Sequence, residues 1–345
     1  MHALVALQRR LNSERQQFAY NRQWLDSIGK PVVFQIELTN HCPMTCAMCP
    51  RTEQMSRPLG YMSRDLYRRI IEQAAGTTSR VLLHHFGDSL LHRDIGTFIR
   101  WAHEKRIRTY LSANPILLTA PRIQAVVDNA LHELVLSVDG ATDATSALVR
   151  GPAARNLALA EERLLALIDY RRRSRKKKPE IVLQIVRQKQ NAHEIDAWLR
   201  KWRGVPGLKR LKVKSYVTWD GASEAIASLR VEAPPDASTL VCDKPWTSLT
   251  ILWDGRVVPC CFDYDGLMTL GHAGTQSLDE IWKGERLRQL RSCHRDGKLG
   301  GVRLCANCTD KEGYAVGKWY YPLNRALGRR TPLGAEWHPA GSSAS

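Results

Sequence analysis

The sequence predicts an α/β fold with a parallel sheet, followed by a small module rich in cysteine. Strand-like apolar runs alternate with helical patterns six times between residues 32 and 217, which is the pattern of repeated strand-helix units. Such units at short spacing build parallel sheets with right-handed crossovers, and six of them fit a partial (β/α)6 barrel. Beyond residue 220 the alternation stops, and six of the nine cysteines follow.

Each predicted element follows from local periodicity and from its breakers. The first 31 residues are predicted to form a helical lead-in that ends at Gly29-Lys30-Pro31. The strand candidates are 32–38, 80–86, 108–112, 133–138, 180–186 and 208–217, and the helical patterns are 64–75, 95–105, 121–129, 154–170 and 192–202. Pro234-Pro235 predicts a boundary, so we expect a barrel over 32–235, a module over 236–321 and a disordered tail over 322–345.

Composition points to a globular protein in a reducing compartment. The 345 residues are 43% hydrophobic and 25% charged, which is ordinary for globular proteins. There is no uncharged apolar run long enough for a membrane span, and the N-terminus lacks the apolar core of a signal peptide. We therefore expect a cytoplasmic location without a membrane partner. Cysteines at close spacing in such a compartment are read as metal ligands rather than disulfides.

The charge balance is strongly basic, with 51 Lys and Arg against 34 Asp and Glu and a formal net charge of +17. This charge attracts acidic partners, such as an acidic electron donor of the flavodoxin type. The densest basic block, 171–178, has no interleaved aromatic residues, so the simpler interpretation is a solvated connector between helix and strand. Nucleic acid is therefore not the expected partner.

Three thiols stand in a C-x3-C-x2-C array at Cys42, Cys46 and Cys49, directly after the first predicted strand. Three thiolates suit an iron-sulfur cluster. With three protein ligands, a four-iron cluster keeps one iron open for a substrate or cofactor. A zinc site with His41 or a distant cysteine as fourth ligand remains an alternative.

This array after the strand 32–38 resembles the radical S-adenosylmethionine (radical SAM) superfamily. In that family the open iron of a 4Fe-4S cluster chelates SAM, and one-electron reduction cleaves SAM to methionine and a 5'-deoxyadenosyl radical. The radical takes a hydrogen atom from a C-H bond, while the protein positions the substrate and shields the radical. The resemblance implies a partial barrel with SAM contacts at the C-terminal ends of its strands.

Several segments resemble the SAM-binding segments of the family. Phe86 to Leu91 is similar to its Gly-Glu-Pro segment, with Asp88 and Ser89 in place of Glu-Pro, and a ligand-free turn is the alternative there. Val149-Arg150-Gly151 is similar to an Ile-Arg-Gly element whose arginine pairs with the SAM carboxylate. The remaining expected contacts are Gly87, Ser112, Asn114, Ser137, Asp139 and Gln184. His84 and His85 are interpreted as structural.

The C-terminal cysteines resemble the SPASM or shortened "twitch" region of radical SAM enzymes. Residues 250–261 are predicted to form a hairpin with an Asp-Gly turn that ends in Pro-Cys-Cys. The resemblance implies a second, auxiliary 4Fe-4S cluster with four thiolate ligands, from Cys242, Cys260, Cys305 and Cys308. A structural zinc knuckle is the alternative. Cys261 and Cys293 are left over.

One auxiliary cluster is similar to the arrangement in antibiotic-pathway radical SAM enzymes that modify aminocyclitols and sugars. The leading hypothesis is hydrogen abstraction from a small polyol, which leads to dehydrogenation, epimerisation or radical elimination or decarboxylation. Cys261 or Cys293 could return hydrogen in an epimerase. Asp263 or Asp265 could take the alcohol proton in a dehydrogenase.

Two other function classes stay open. The first is maturation of a ribosomally made peptide, in which the basic surface would receive an acidic precursor. The second is a non-enzymatic, metal-stabilised nucleic-acid-binding protein, suggested by the net charge of +17 together with the cysteines.

Overall fold

A computed structural model describes residues 2–233 and 241–308. It has a mixed α/β fold with a parallel sheet, as the sequence predicts. The predicted boundary at Pro234-Pro235 and the tail from Pro322 lie outside the described residues. No helix in the described ranges is both long enough and apolar enough to cross a membrane.

The described strands lie close to the predicted runs. They are β1 Val33–Ile36, β2 Arg80–Leu82, β3 Arg108–Ala113, β4 Glu133–Ser137, β5 Glu180–Val186, β6 Arg210–Lys214, β7 Ser248–Ile251, β8 Arg256–Val258 and β9 Gly271–His272. The helices are α1 His2–Asn21, α2 Arg64–Ala74, α3 Ile95–Glu104, α4 Ala120–Asp128, α5 Asp143–Arg150, α6 Leu157–Arg173, α7 Ile195–Trp202, α8 Glu224–Ser228, α9 Lys244–Thr247, α10 Leu278–Lys283, α11 Glu285–Arg295 and α12 Arg303–Ala306.

The parallel sheet separates an apolar outer face from a more polar inner one. Phe34 and Ile36 of β1 are fully buried in the main core together with the apolar sides of the crossover helices, whereas Gln35 between them is only half-buried. This period of two is what a half-buried strand requires. Burial against the helices therefore fixes which side chains line the inside of the partial barrel.

Helix α5 is absent from the sequence-based prediction. It begins after Thr142, whose hydroxyl accepts a hydrogen bond from the Thr145 amide at 3.2 Å. Such a side-chain cap satisfies one of the amides that the first turn leaves unpaired. The helix is only eight residues long, and its periodicity is too brief to stand out. It nevertheless decides where Arg150 lies.

The first strand of the predicted hairpin joins the main sheet. Strand β7 pairs in parallel with β1, with Phe34 opposite Leu249 and Ile36 opposite Ile251. Strand β8 then pairs antiparallel with β7, and β9 with β8, so that the sheet order is β6-β5-β4-β3-β2-β1-β7-β8-β9. The cysteine-rich module therefore continues the barrel sheet at the edge that β1 would otherwise expose.

The lead-in helix α1 contacts both parts of the chain. The Arg9 guanidinium donates to the Ala75 carbonyl at the end of α2, at 2.7 Å. The Tyr20 hydroxyl donates to the Val241 carbonyl at 2.5 Å, and the Trp246 indole donates to the Trp24 carbonyl at 2.7 Å. Helix α1 and the residues just after it therefore hold the start of the cysteine-rich module against the barrel.

Candidate cofactor site

The first thiol loop lies between β1 and α2, at the C-terminal end of the parallel strands. Its backbone is held by the end of α5, because the Thr45 amide donates to the Arg150 carbonyl at 3.1 Å and the Ala47 amide to the Val149 carbonyl at 3.0 Å. The Cys49 amide donates to the Cys46 carbonyl at 3.1 Å, which folds the C-x2-C part into a turn. Helix α5 thus fixes the loop that carries the three thiols.

The three thiols are shielded from water. Cys46 is buried, and Cys42 and Cys49 are partly buried. Burial, aided by the charge of Asp88, raises the pKa of Cys42 to about 11, and burial with the neighbouring Cys46 raises the pKa of Cys49 to about 12. Metal coordination requires thiolates and would offset this cost. A buried all-sulfur donor set fits an iron-sulfur cluster.

Neither the position of the His41 ring nor the distances between possible ligands support a zinc site at the first thiol loop. The His41 ring stacks on Tyr61, with the ring centroids 4.6 Å apart. Within residues 2–233 and 241–308, no three His, Cys, Asp or Glu side chains lie close enough to hold a single metal ion. The thiols of a four-iron cluster surround a cube of atoms rather than one ion, so a wider spacing is expected for them.

Arg150 connects the thiol loop to the ends of β4 and β5. Its guanidinium donates to the Cys46 sulfur at 3.7 Å and pairs with Asp139, whose other oxygen accepts from the Val186 amide at 2.6 Å. Burial alone would lower the pKa of Arg150, but the Asp139 carboxylate outweighs it and raises that pKa. A fixed cation beside Cys46 suits a negatively charged ligand. Contact of Arg150 with the SAM carboxylate stays a prediction.

Asp88 connects the thiol loop to the ends of β2 and β3. Its amide donates to the His41 carbonyl at 2.9 Å, and its carboxylate accepts from the amides of Leu90 at 3.0 Å and Asn114 at 2.8 Å. Burial raises the pKa of this carboxyl to about 6. Gly87 is required beside it, because a Cβ there would lie 2.2 Å from the Thr39 carbonyl oxygen. Contact of Asp88 with the SAM amino group stays a prediction.

The other predicted SAM contacts lie at the same ends of the strands. The Ser89 hydroxyl donates to the Leu83 carbonyl at 2.6 Å, and the Asn114 side chain accepts from the Ile116 amide at 3.0 Å. Buried Gln184 donates to Ser137 at 3.5 Å across β4 and β5. The remaining member, Ser112, donates its amide to His84. The structure brings these residues to one edge of the sheet, where several of them also cap turns.

The four predicted auxiliary ligands, Cys242, Cys260, Cys305 and Cys308, line a single cavity. Its other walls are mostly apolar and include Pro245, Pro259, Phe262, Leu290 and Leu304. Burial raises the pKa of Cys242 above its ordinary range, and the adjacent Cys261 thiol together with burial raises that of Cys260. A mostly apolar pocket with four thiols fits a fully ligated cluster, whose metal would stabilise the thiolates.

His294 is a residue of this cavity that the sequence interpretation missed. It is buried in α11, and its Nε2 lies 3.6 Å from the Cys305 sulfur. Cys261 and Cys293 are not among the described residues that line the cavity. His294 and Cys305 are neighbours because of how α11 packs against α12, and nothing in the local sequence indicates this contact.

The two candidate bases are both engaged with neighbouring donors. Asp263 accepts from the amides of Leu267 at 2.8 Å and Met268 at 2.9 Å. Asp265 accepts from the Ser56 amide at 2.7 Å and hydroxyl at 2.6 Å. Burial would raise the pKa of Asp265, but these donors with nearby Arg57 lower it. Both carboxylates stabilise the loop after β8, and a role as base stays a prediction.

A buried ion network joins the end of β1 to the loop after β8. Glu37, directly after β1, forms a bidentate ion pair with Arg57 and accepts a hydrogen bond from the Trp253 amide at 3.2 Å. His85 contacts Glu37 at 3.1 Å and the Cys261 carbonyl at 2.9 Å. Arg57 also donates to the Tyr264 carbonyl at 2.5 Å. The network therefore ties the barrel to the loop that carries Cys260.

We expect Glu37→Gln to destabilise the protein by about 3–5 kcal/mol, because it leaves the buried Arg57 without its counterion. Burial would raise the pKa of Glu37, but His85 and Arg57 outweigh it and lower the pKa to about 2. The ion pair therefore stabilises the fold above the unfolded-state pKa of about 4.3 and loses its effect as the pH falls towards about 2.

Anaerobic denaturant unfolding of both proteins at several pH values measures this difference. Glu72→Gln is the matched control, because the Arg68–Glu72 pair is exposed and should contribute less than about 1 kcal/mol. Equal losses of stability in the two variants would contradict the role of the network.

Comparisons with known proteins agree with this geometry. The radical SAM superfamily model matches residues 36–197, and the SPASM iron-sulfur cluster-binding domain matches residues 242–309. The chain belongs to the radical SAM superfamily. It is an enzyme that uses SAM with one SAM-binding 4Fe-4S cluster and one auxiliary 4Fe-4S cluster. The first thiol loop lies within the first match, and the thiol cavity lies within the second.

Two sequence relatives and one solved structure illustrate what this chain is similar to. An S-adenosyl-L-methionine-dependent 2-deoxy-scyllo-inosamine dehydrogenase of Niallia circulans is 22% identical over 287 residues, which covers 81% of this chain and 92% of the relative. The crystal structure of BtrN in complex with AdoMet and 2-DOIA has a TM-score of 0.54 at 18% identity and covers 83% of this chain and 97% of that one. A PqqA peptide cyclase of Rhodopseudomonas palustris is 28% identical over 117 residues, which covers 33% of this chain and 30% of the relative.

Proposed function

We propose that this radical SAM enzyme dehydrogenates a hydroxyl-bearing carbon of a small cyclic polyol of the aminocyclitol or sugar class. The observation that carries the proposal is the single cavity lined by four thiols. A cluster with four protein ligands has no open iron for a substrate, which suits it to receive an electron. The Niallia circulans relative, which covers 81% of this chain, is named as a dehydrogenase of this kind and supports the proposal.

The bound cofactors supply the radical that removes hydrogen from carbon and the acceptor for the second electron. The chain positions and shields these groups. Arg150 and Asp88 hold the thiol loop against four strand ends, and a mostly apolar wall surrounds Cys242 and Cys260. The substrate hydroxyl must also lose its proton, and Asp263 and Asp265 are the candidates that the sequence offers for this step.

The assay uses the reduced, reconstituted full-length protein with SAM and 2-deoxy-scyllo-inosamine deuterated at its ring carbons. We expect a ketone product and 5'-deoxyadenosine that carries deuterium from the oxidised carbon. A panel of sugars and cyclitols defines the preferred ring. Absence of deuterium transfer from every member of the panel would refute the polyol proposal.

Peptide maturation is the second candidate function, because a peptide cyclase matches 117 residues of this chain at 28% identity. The net charge of +17 would favour an acidic precursor. Deuterium transfer from a labelled precursor peptide, with none from the polyol panel, would favour this candidate. For either substrate, we also propose an acidic electron donor such as a flavodoxin and a cytoplasmic location.

Incorporation of deuterium from the solvent into the product distinguishes dehydrogenation from epimerisation. In a dehydrogenase, Cys261→Ala and Cys293→Ala should both form the oxidised product, and no solvent deuterium should enter the reacting carbon in deuterium oxide. In an epimerase, a thiol returns a hydrogen atom that exchanges with solvent, so the wild-type product formed in deuterium oxide should carry one deuterium. One of the two variants should then no longer form the product with inverted stereochemistry. Mass spectrometry of the product measures both outcomes. A product that is neither oxidised nor labelled would contradict both endings.

A further inference from the structure

Trp219, in the loop after β6, contacts both thiol sites. Its indole nitrogen donates to the carbonyl of Met48 at 2.7 Å, and Met48 directly precedes Cys49. On its other side the indole ring meets the ring of Phe262 edge-on, with the centroids 5.6 Å apart. Phe262 lines the auxiliary cavity, and its amide lies 3.4 Å from the Cys260 sulfur. A continuous chain of contacts therefore runs from the first thiol loop to the auxiliary cavity.

A third loop meets the same indole. The ring of Phe86 lies 4.9 Å from that of Trp219 and 5.8 Å from that of Tyr264, measured between centroids. Phe86 directly precedes the Gly87-Asp88 turn, which contacts the first thiol loop through His41. Trp219 thus packs where the loops after β1, β2 and β8 converge.

The backbone of this segment is constrained in a way that also indicates a positioning role. Trp219 has a φ of +61°, which is a strained conformation for a bulky residue and persists only where the surroundings hold it. Two residues later, Gly221 has a φ of +71°, and a Cβ there would lie 2.0 Å from the carbonyl oxygen of Asn307. Asn307 stands between Cys305 and Cys308, so the same short segment packs against the turn that carries these two cysteines.

We propose that Trp219 is a positioning residue that sets the spacing and alignment of the first thiol loop relative to the auxiliary cavity. A radical formed beside the first site can be oxidised at the second only if the two sites keep a fixed geometry. The proposal rests on the proposed function for this consequence alone, because its test needs no substrate.

The test compares Trp219→Phe with Trp253→Phe in the anaerobically reconstituted full-length protein. Both changes keep an aromatic ring and delete an indole donor, and in the control that donor bonds the Pro58 carbonyl at 3.2 Å, which belongs neither to residues 42–49 with the first three thiols nor to the wall of the auxiliary cavity. We expect Trp219→Phe to keep its iron but to change the spin-spin broadening in the EPR spectrum of the reduced protein. The rate of 5'-deoxyadenosine formation with SAM alone should change about fivefold, the equivalent of one hydrogen bond.

Phe262→Leu removes the ring at the other end of the contact and should change the EPR broadening in the same way. Wild-type spectra and rates in Trp219→Phe, or wild-type spectra in Phe262→Leu, would overturn the proposal. Equal changes in Trp253→Phe would overturn it as well. Loss of iron from Trp219→Phe would also overturn it, because the indole would then be needed for folding of a site rather than for alignment. If the test succeeds and no cyclitol is oxidised, only the proposed substrate is refuted.

Discussion

Replacing Cys42, Cys46 or Cys49 by Ala is expected to abolish formation of 5'-deoxyadenosine. Each is one of only three thiols in the first loop, and a four-iron cluster left with two protein ligands would not be retained. The auxiliary cavity lies in another part of the chain and keeps its four thiols. We therefore expect iron content to fall by roughly half, from about eight to about four atoms per chain.

Iron and sulfide analysis together with chromatography of the SAM cleavage products checks this prediction. Cys293→Ala is the matched control for iron content, because it deletes a thiol of α11 that is not among the described residues lining the auxiliary cavity. Undiminished 5'-deoxyadenosine formation in any of the three variants would refute the assignment of the first loop. Full loss of iron would show that the two sites depend on each other for assembly.

Single replacement of an auxiliary ligand by Ala is expected to remove the second cluster and much of the soluble protein. The change applies to Cys242, Cys260, Cys305 and Cys308 in turn. Cys305 lies in α12 and Cys242 lies two residues before α9, and these helices of four residues each cannot form stably alone. Metal binding there is also folding free energy.

Iron analysis and anaerobic thermal unfolding measure this effect. We expect residual protein to hold about four irons and to be less stable by several kcal/mol. His294→Gln is an informative comparison, because His294 lies beside Cys305 without belonging to the predicted ligands. It should keep the iron, and full iron content in any of the four cysteine variants would show that the ligand set is wrong.

Much of the barrel could be predicted because its signals are local. The prediction of a strand over 180–186 agrees with β5, Glu180–Val186, since a short, nearly continuous apolar run after Pro179 indicates a strand without reference to distant parts of the chain. The longer runs at 32–38 and 208–217 proved to be shorter strands, Val33–Ile36 and Arg210–Lys214, because pairing ends where the neighbouring strand ends. Helix α5 escaped prediction because it is short and depends on its Thr142 cap.

The sequence alone determined the thiol loop, since Cys42, Cys46 and Cys49 lie within eight residues and their spacing is a local property. The class of chemistry followed from the resemblance of this array to that of the radical SAM family. Only the tertiary structure decided that β7 pairs with β1, that Glu37 binds Arg57 and His85, and that Trp219 joins the two thiol sites. These contacts join residues far apart in the chain. Local periodicity shows which face of an element is apolar, but it carries no information about which distant element will cover that face or at what register, because that depends on the packing of the whole chain.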